Sequence, residues 1–332
     1  MGNVIGCCGH ADQVDDDSTG QQVVITSRKP SVQCEGYAPA MLPKFLTSQE
    51  IVDFYLFYQE KGEACQLACG LIRCVDNCQA RSTNWTWVQS SFDIDSTKPV
   101  IILSHGYMSW RNQMLLAFLA GHLSRKLHCH VLRFDFSGNG HSNGEWKYAG
   151  YDAEARDLDQ VIRFAREQLK CQVSCVIGHS KGAISVLRRA WEQEAMPADD
   201  RIPCFVNLSG PFYLPGDFSE QDRFTKEQLQ DLETTGKILL ETRGQKRHYA
   251  TKQDIKDKKT LNSSLARGIQ TSRVLTIHGD ADDVVDVSSA YKFADTIKPH
   301  ELKIIKGGDH AFNGLRHMDE LTNTISAFVE RT

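Results

Sequence analysis

Apolar residues are spread unevenly along this chain, and their arrangement divides it into regions. From residue 98 onward, short and largely apolar runs recur: Val100–Leu103, His130–Phe134, Val173–Ile177, Phe205–Leu208, Val274–Ile277 and Leu302–Ile305. Runs of this length bounded by Gly, Pro and polar residues predict buried strands. Amphipathic stretches lie between most of them, at 112–127, 152–169, 182–193, 288–297 and 316–330. In the second, Ala155, Leu158, Val161, Ile162, Ala165 and Leu169 mark one face of a helix. Strand and helix in alternation predict an α/β protein with a doubly wound, mostly parallel sheet covered on both faces.

One segment breaks the rhythm. Residues 211–268 separate two strands and are dense in Lys, Glu, Asp and Gln. The pattern predicts helical pieces there, one over Lys226–Leu240 and one after Thr251, where Thr-x-x-Asp provides a cap. The core is thus expected over 98–210 and 269–332, with 211–268 a small helical cap over the C-terminal edge of the sheet.

Residues 35–97 precede this core. Thr47 and Glu50 have capping-box spacing, and Ile51, Phe54, Tyr55 and Tyr58 follow at helical spacing, which predicts a helix over about 48–63. Trp85 and Trp87 alternate with polar residues and predict a strand. Cys65, Cys69, Cys74 and Cys78 are spaced C-x3-C-x4-C-x3-C. That spacing fits no zinc or iron–sulfur pattern, so ordinary thiols and no metal are expected.

Composition narrows the class. At 41% hydrophobic and 24% charged residues the chain reads as a globular protein. A net charge of -4 argues against broad electrostatic binding to nucleic acid. No apolar stretch is long enough for a membrane span, and the first twenty residues lack a secretory apolar segment. The cysteines number eleven, an odd count without the spacing of a disulfide scaffold, which favours a reducing, intracellular setting.

The N-terminus qualifies that setting. Met1-Gly2-Asn3-Val4-Ile5-Gly6-Cys7-Cys8 resembles an N-myristoylation signal at Gly2, with Gly6 where Ser or Thr is usual. One myristoyl chain anchors only marginally, and Cys7 and Cys8 would supply a second, palmitoyl signal. Acylation would put the protein on the cytoplasmic face of a membrane; without it the protein is expected in the cytoplasm. The rest of residues 1–34 is polar, with the run Asp15-Asp16-Asp17, and reads as a flexible spacer.

Candidate chemistry gathers at four places in the core. Gly178-His179-Ser180-Lys181-Gly182 is a G-x-S-x-G pentapeptide between a predicted strand and a predicted helix. That context raises a serine hydroxyl on a strained turn, with a helix N-terminus behind it that favours negative charge. Ser104-His105-Gly106-Tyr107 follows strand 100–103, with His105 expected to brace its loop. His278-Gly279-Asp280-Ala281-Asp282-Asp283 follows strand 274–277, and Asp280, Asp282, Asp283 and Asp286 all compete as the acid. Gly307-Gly308-Asp309-His310 follows strand 302–305, its glycines allowing a tight turn beneath the imidazole. Gly138-x-Gly140 also follows a strand, but the third glycine of a dinucleotide fingerprint would fall at Asn143, so no nucleotide is expected.

These motifs, with Phe134-Asp135-Phe136-Ser137-Gly138-Asn139-Gly140-His141-Ser142 and Asn207-Leu208-Ser209-Gly210, resemble the α/β-hydrolase superfamily, in its serine-aminopeptidase-like branch of esterases and lipases. The resemblance covers residues 98–331. It implies a triad of Ser180 as nucleophile, His310 as base and Asp282 as acid, with the backbone N–H groups of Tyr107 and Lys181 as the oxyanion hole and no cofactor. Asp286 stands where the family usually has proline, and Lys181 where Met or Gln is common. The implied activity is cleavage of a carboxylic ester or thioester, of a small molecule, a lipid or an acyl-protein, through an acyl-enzyme. A serine aminopeptidase or amidase would use the same triad, and a non-catalytic receptor or binding protein would share the fold.

Overall fold

In the computed structural model, residues 22–24, 51–60, 63–72, 94–243 and 246–331 are described. Gly2, Cys7, Cys8, Cys74, Cys78, Trp85 and Trp87 lie outside them. The described strands are β1 (Gln22–Val24), β2 (Ile51–Glu60), β3 (Glu63–Ile72), β4 (Val100–Ser104), β5 (His130–Phe134), β6 (Val173–His179), β7 (Cys204–Leu208), β8 (Lys237–Arg243), β9 (Lys246–Thr251), β10 (Arg273–Gly279) and β11 (His300–Ile305). The described α-helices are α1 (Met114–Lys126), α2 (Tyr151–Glu167), α3 (Lys181–Glu192), α4 (Glu220–Arg223), α5 (Lys226–Thr235), α6 (Lys252–Lys259), α7 (Ser288–Thr296) and α8 (Leu315–Val329).

Nine of the described strands form one sheet in the order β1-β2-β3-β5-β4-β6-β7-β10-β11. The six from β5 to β11 in this order are mutually parallel, while β1, β2 and β3 join antiparallel at one edge. Successive strand residues face opposite sides of a sheet, so each strand feeds two cores. Val100 and Ile102 pack with α2, α3 and α7 through Leu158, Val161, Val186 and Phe293. Ile101 and Leu103 pack on the other face with α1 and α8 through Leu116, Leu119, Leu321 and Phe328. Each such fully buried side chain contributes about 1.5–3 kcal/mol. Among the described residues no helix is long and apolar enough to cross a membrane.

Two expectations are corrected. The described residues of the predicted helix over 48–63 are instead strand, with β2 and β3 paired from Ile51↔Ile72 to Glu60↔Glu63 and β3 paired in turn with β5. Ile51, Val52, Phe54, Tyr55, Phe57 and Tyr58 are β-branched or aromatic and fit a pleated surface better than a helix. Cys65 and Cys69 therefore lie on a strand, and the buried Cys69 thiol donates to Leu67 O. In the insertion, helix α5 stops at Thr235 because Gly236 caps it in the left-handed conformation (φ 80°), and Lys237–Arg243 pairs with β9 as a hairpin. The insertion is thus mixed rather than helical. The helix after Thr251 forms as α6, with Thr251 and Asp254 making a capping box.

The insertion has a core of its own. Phe224, Leu232, Ile238, Ala250 and Ile255 close around Tyr148, and Tyr107 and Trp146 pack against them. Tyr107 follows β4 and Trp146 and Tyr148 follow β5, so the insertion sits on loops at the C-terminal ends of the parallel strands.

Candidate active site

Ser180 caps the N-terminus of α3, directly after β6, with φ 53° and ψ −122°. A non-glycine residue in the left-handed region costs of order 1–3 kcal/mol and persists only when its surroundings enforce it. They do so here: Ser180 N donates to Leu208 O (2.8 Å), and the helix start passes the β4 loop so closely that a Cβ on Gly182 would lie 2.3 Å from His105 O. The serine is 8% exposed.

The Ser180 hydroxyl donates to His310 Nε2 (2.9 Å), and His310 Nδ1–H donates to Asp282 Oδ2 (2.8 Å). His310 follows β11 on a loop held against the loop after β10. At Gly279 the two backbones touch: an added Cβ would lie 2.0 Å from Gly308 O. Asp280 Oδ1 accepts from Gly307 N (2.5 Å) and ties the same loops together.

Asp282 is the aspartate that meets His310. Asp286 accepts from Ser288 N just before α7, and Asp280 and Asp283 are exposed. The Asp282 side chain is fully buried. Burial alone would raise its pKa, but hydrogen bonds from His278, His310 and the N–H groups of Val285 and Val284 outweigh it and hold the carboxyl well below the usual range. A carboxylate so solvated by donors stays ionised and fixes the His310 tautomer, leaving Nε2 as the acceptor that faces Ser180.

Lys181 is the first residue of α3, where helix geometry leaves the backbone N–H without an intrahelical partner. Its side chain is buried: Nζ pairs with Glu154 Oε1 (2.5 Å) and lies 5.0 Å from the centre of the Tyr151 ring. Tyr107 stands on the loop after β4, its ring edge-on to Trp146 and Tyr148. His105 is a brace, donating from Nδ1 to Gly106 O (2.9 Å) and accepting from Phe136 N at Nε2 (3.0 Å). Among the described residues, no group of three or more His, Cys, Asp or Glu is placed to hold a metal ion.

Two histidines at the site were not singled out from the sequence. His179 donates from Nε2 to His310 O (2.8 Å), and burial, together with the facing His310 ring, pushes its pKa down to about 4. His278 reaches Asp282, with Nε2 3.2 Å from Oδ2. The available signals were the position of His179 inside the pentapeptide and the i, i+4 spacing of His278 and Asp282 across a strand end.

A strand-end serine at the start of a helix, with an imidazole and a carboxylate delivered by two later strand-end loops, defines the α/β-hydrolase class. The sequence profile described as "Alpha/beta hydrolase family" matches residues 101–323, and the chain belongs to that family. No curated protein sequence matches it. Among solved structures it is similar to Est1E from Butyrivibrio proteoclasticus with ferulic acid bound, at 18% identity and TM-score 0.62, over 83% of this chain and 98% of that one. It is also similar to alpha/beta hydrolase domain-containing protein 10 from mouse, at 18% identity and TM-score 0.57, over 83% and 98% of the two chains. An esterase from Pyrococcus furiosus is similar at 18% identity and TM-score 0.57, over 85% and 90%. At these identities the likeness is one of fold.

Proposed function

We propose that the protein is a serine hydrolase that cleaves carboxylic esters through an acyl-enzyme. The observation that carries this reading is the unbroken relay from Asp282 Oδ2 through His310 to Ser180 Oγ, with spacings of 2.8 and 2.9 Å. In the first half-reaction Ser180 Oγ attacks the acyl carbon while His310 Nε2 takes its proton. The backbone N–H groups of Lys181 and Tyr107 hold the oxyanion; one such donor is worth about 10²–10³ in kcat. His310 then gives the proton to the departing alcohol. Water, deprotonated by the same imidazole, releases the acid. Asp282 stays ionised throughout and stabilises the imidazolium.

Esters are favoured over amides because the structural neighbours include esterases, one of them solved with ferulic acid. The decisive test is labelling with a fluorophosphonate, wild type against Ser180→Ala. Labelling of the wild type alone is expected; an unlabelled, folded wild type would mean a non-catalytic hydrolase-fold protein. A panel of p-nitrophenyl esters, thioesters and aminoacyl amides then ranks the substrate classes.

The Gly2, Cys7 and Cys8 motif supports a finer reading in which acyl chains hold the enzyme at a membrane and the ester belongs to a lipid or an acylated protein. Gly2→Ala is expected to move the protein from the membrane to the soluble fraction of cells; unchanged fractionation would refute it.

A further inference from the structure

We infer that His278 is a positioning residue for the triad: it is a second imidazole donor on the carboxylate of Asp282 and sets the orientation in which that carboxylate meets His310. The inference rests on the reading of Ser180, His310 and Asp282 as a catalytic relay.

His278 is the penultimate residue of β10, in register with Ile304 of β11, and is fully buried. Its Nε2 lies 2.9 Å from Val285 O and 3.2 Å from Asp282 Oδ2. A carbonyl only accepts, so Nε2 carries the hydrogen, and that hydrogen is shared between the carbonyl and the carboxylate. The other ring nitrogen, Nδ1, is buried without a hydrogen-bond partner. Every polar contact of this ring therefore goes to the loop that carries Asp282.

The four donors at the carboxylate divide evenly. Oδ1 accepts from Val284 N (2.9 Å) and Val285 N (2.8 Å). Oδ2 accepts from His310 Nδ1 and shares the His278 hydrogen. The backbone pair anchors one oxygen but leaves the carboxylate free to rock about that anchor. His278 removes this freedom, because its strand is part of the sheet while the His310 loop is not. It also supplies Oδ2 with a donor that stays in place while His310 moves protons.

The experiment compares His278→Leu, His278→Gln and His278→Asn with wild type and Ser180→Ala, by fluorophosphonate labelling rate, p-nitrophenyl butyrate kinetics and thermal unfolding. Gln places its amide nitrogen near the position of Nε2; Asn reaches only that of Nδ1. In H278L the labelling rate and kcat are expected to fall about ten- to a hundredfold, the cost of a misplaced catalytic group. KM should stay within about twofold, and H278Q should recover to within about threefold of wild type. A folded H278L that labels at the wild-type rate overturns the inference, as does an H278Q that falls as far as H278L. Should H278L not fold, active H278Q against impaired H278N supports it and equal activity refutes it. Failure of the wild type itself to label would instead refute the relay, and the positioning role with it.

Discussion

Replacing Asp282 by Asn changes one atom, and the structure dictates where that atom must go. The amide nitrogen cannot occupy the Oδ1 position, because Val284 N–H and Val285 N–H both point there and would face a donor. It must take the Oδ2 position, between two imidazoles. His278 Nε2 already holds its hydrogen for Val285 O, so it cannot become an acceptor. His310 can, by moving its proton from Nδ1 to Nε2. The relaxed variant then presents an N–H to Ser180 Oγ in place of a lone pair, and the serine has no base. A triad imidazole held in the wrong tautomer costs about 10⁴ in kcat, or about 5 kcal/mol in the barrier. Asp280→Asn is the control. Its Oδ1 accepts a single backbone N–H and an amide oxygen does the same, so an effect of about 0.5 kcal/mol or less is expected. The assay is kcat on p-nitrophenyl butyrate with labelling by fluorophosphonate, at a pH where both variants are folded. An Asp282→Asn enzyme within tenfold of wild type, or equal losses at positions 280 and 282, would refute the tautomer argument. Stability gives an independent check. The folded-state pKa of Asp282 is depressed, so its contribution is present above the ordinary carboxylate value of 3.8 and is lost as pH falls below it. Acid unfolding should therefore be less steep in the variant.

Two further outcomes follow from packing and charge. Gly279→Ala would place a methyl group 2.0 Å from Gly308 O, where only backbone can yield; a loss of about 1–3 kcal/mol of stability and a lower labelling rate are expected, and a variant with wild-type Tm and rate would contradict the contact. The half-buried Lys258 ammonium lies against the rings of Tyr148, Tyr151 and Tyr213, and burial pushes its pKa from 10.5 down to about 7, with Lys181 and Arg223 adding to the fall and Glu154 opposing it. A depressed lysine pKa means that folding releases a proton between those values, so stability rises with pH across that window; Lys258→Met should flatten the rise in urea midpoint between pH 7 and 10, and parallel curves would refute the assignment.

The parallel core was legible in the sequence because its strands are buried on both faces and read as unbroken apolar runs. The helix predicted over 152–169 is observed as α2, at 151–167. The β2–β3 pairing was not legible for a physical reason. Thr47 and Glu50 have the spacing of a local cap, and Ile51, Phe54, Tyr55 and Tyr58 fit a helical period, while the pairing of β3 with β5 is a contact between residues far apart in sequence. At the site, Ser180 and His310 carried local signals, a glycine-flanked turn in each case. Asp282 stood among four aspartates that composition did not separate and only spacing within the family motif picked out, since what distinguishes it physically is burial and the direction of two histidines. The partnership of His278 with Asp282 was invisible for the same reason: a histidine ending a strand acquires its meaning only when the loop folds back over it.

The contact between His179 and the His310 carbonyl ties the Ser180 turn to the loop after β11. His179, which precedes Ser180, grips the backbone of His310, and the Gly279–Gly308 contact joins the His310 loop to the Asp282 loop. Ser180, His310 and Asp282 are thus held on one connected frame of strand-end loops. The insertion that leans on Tyr107, Trp146 and Tyr148 stands apart from that frame, with a core of its own.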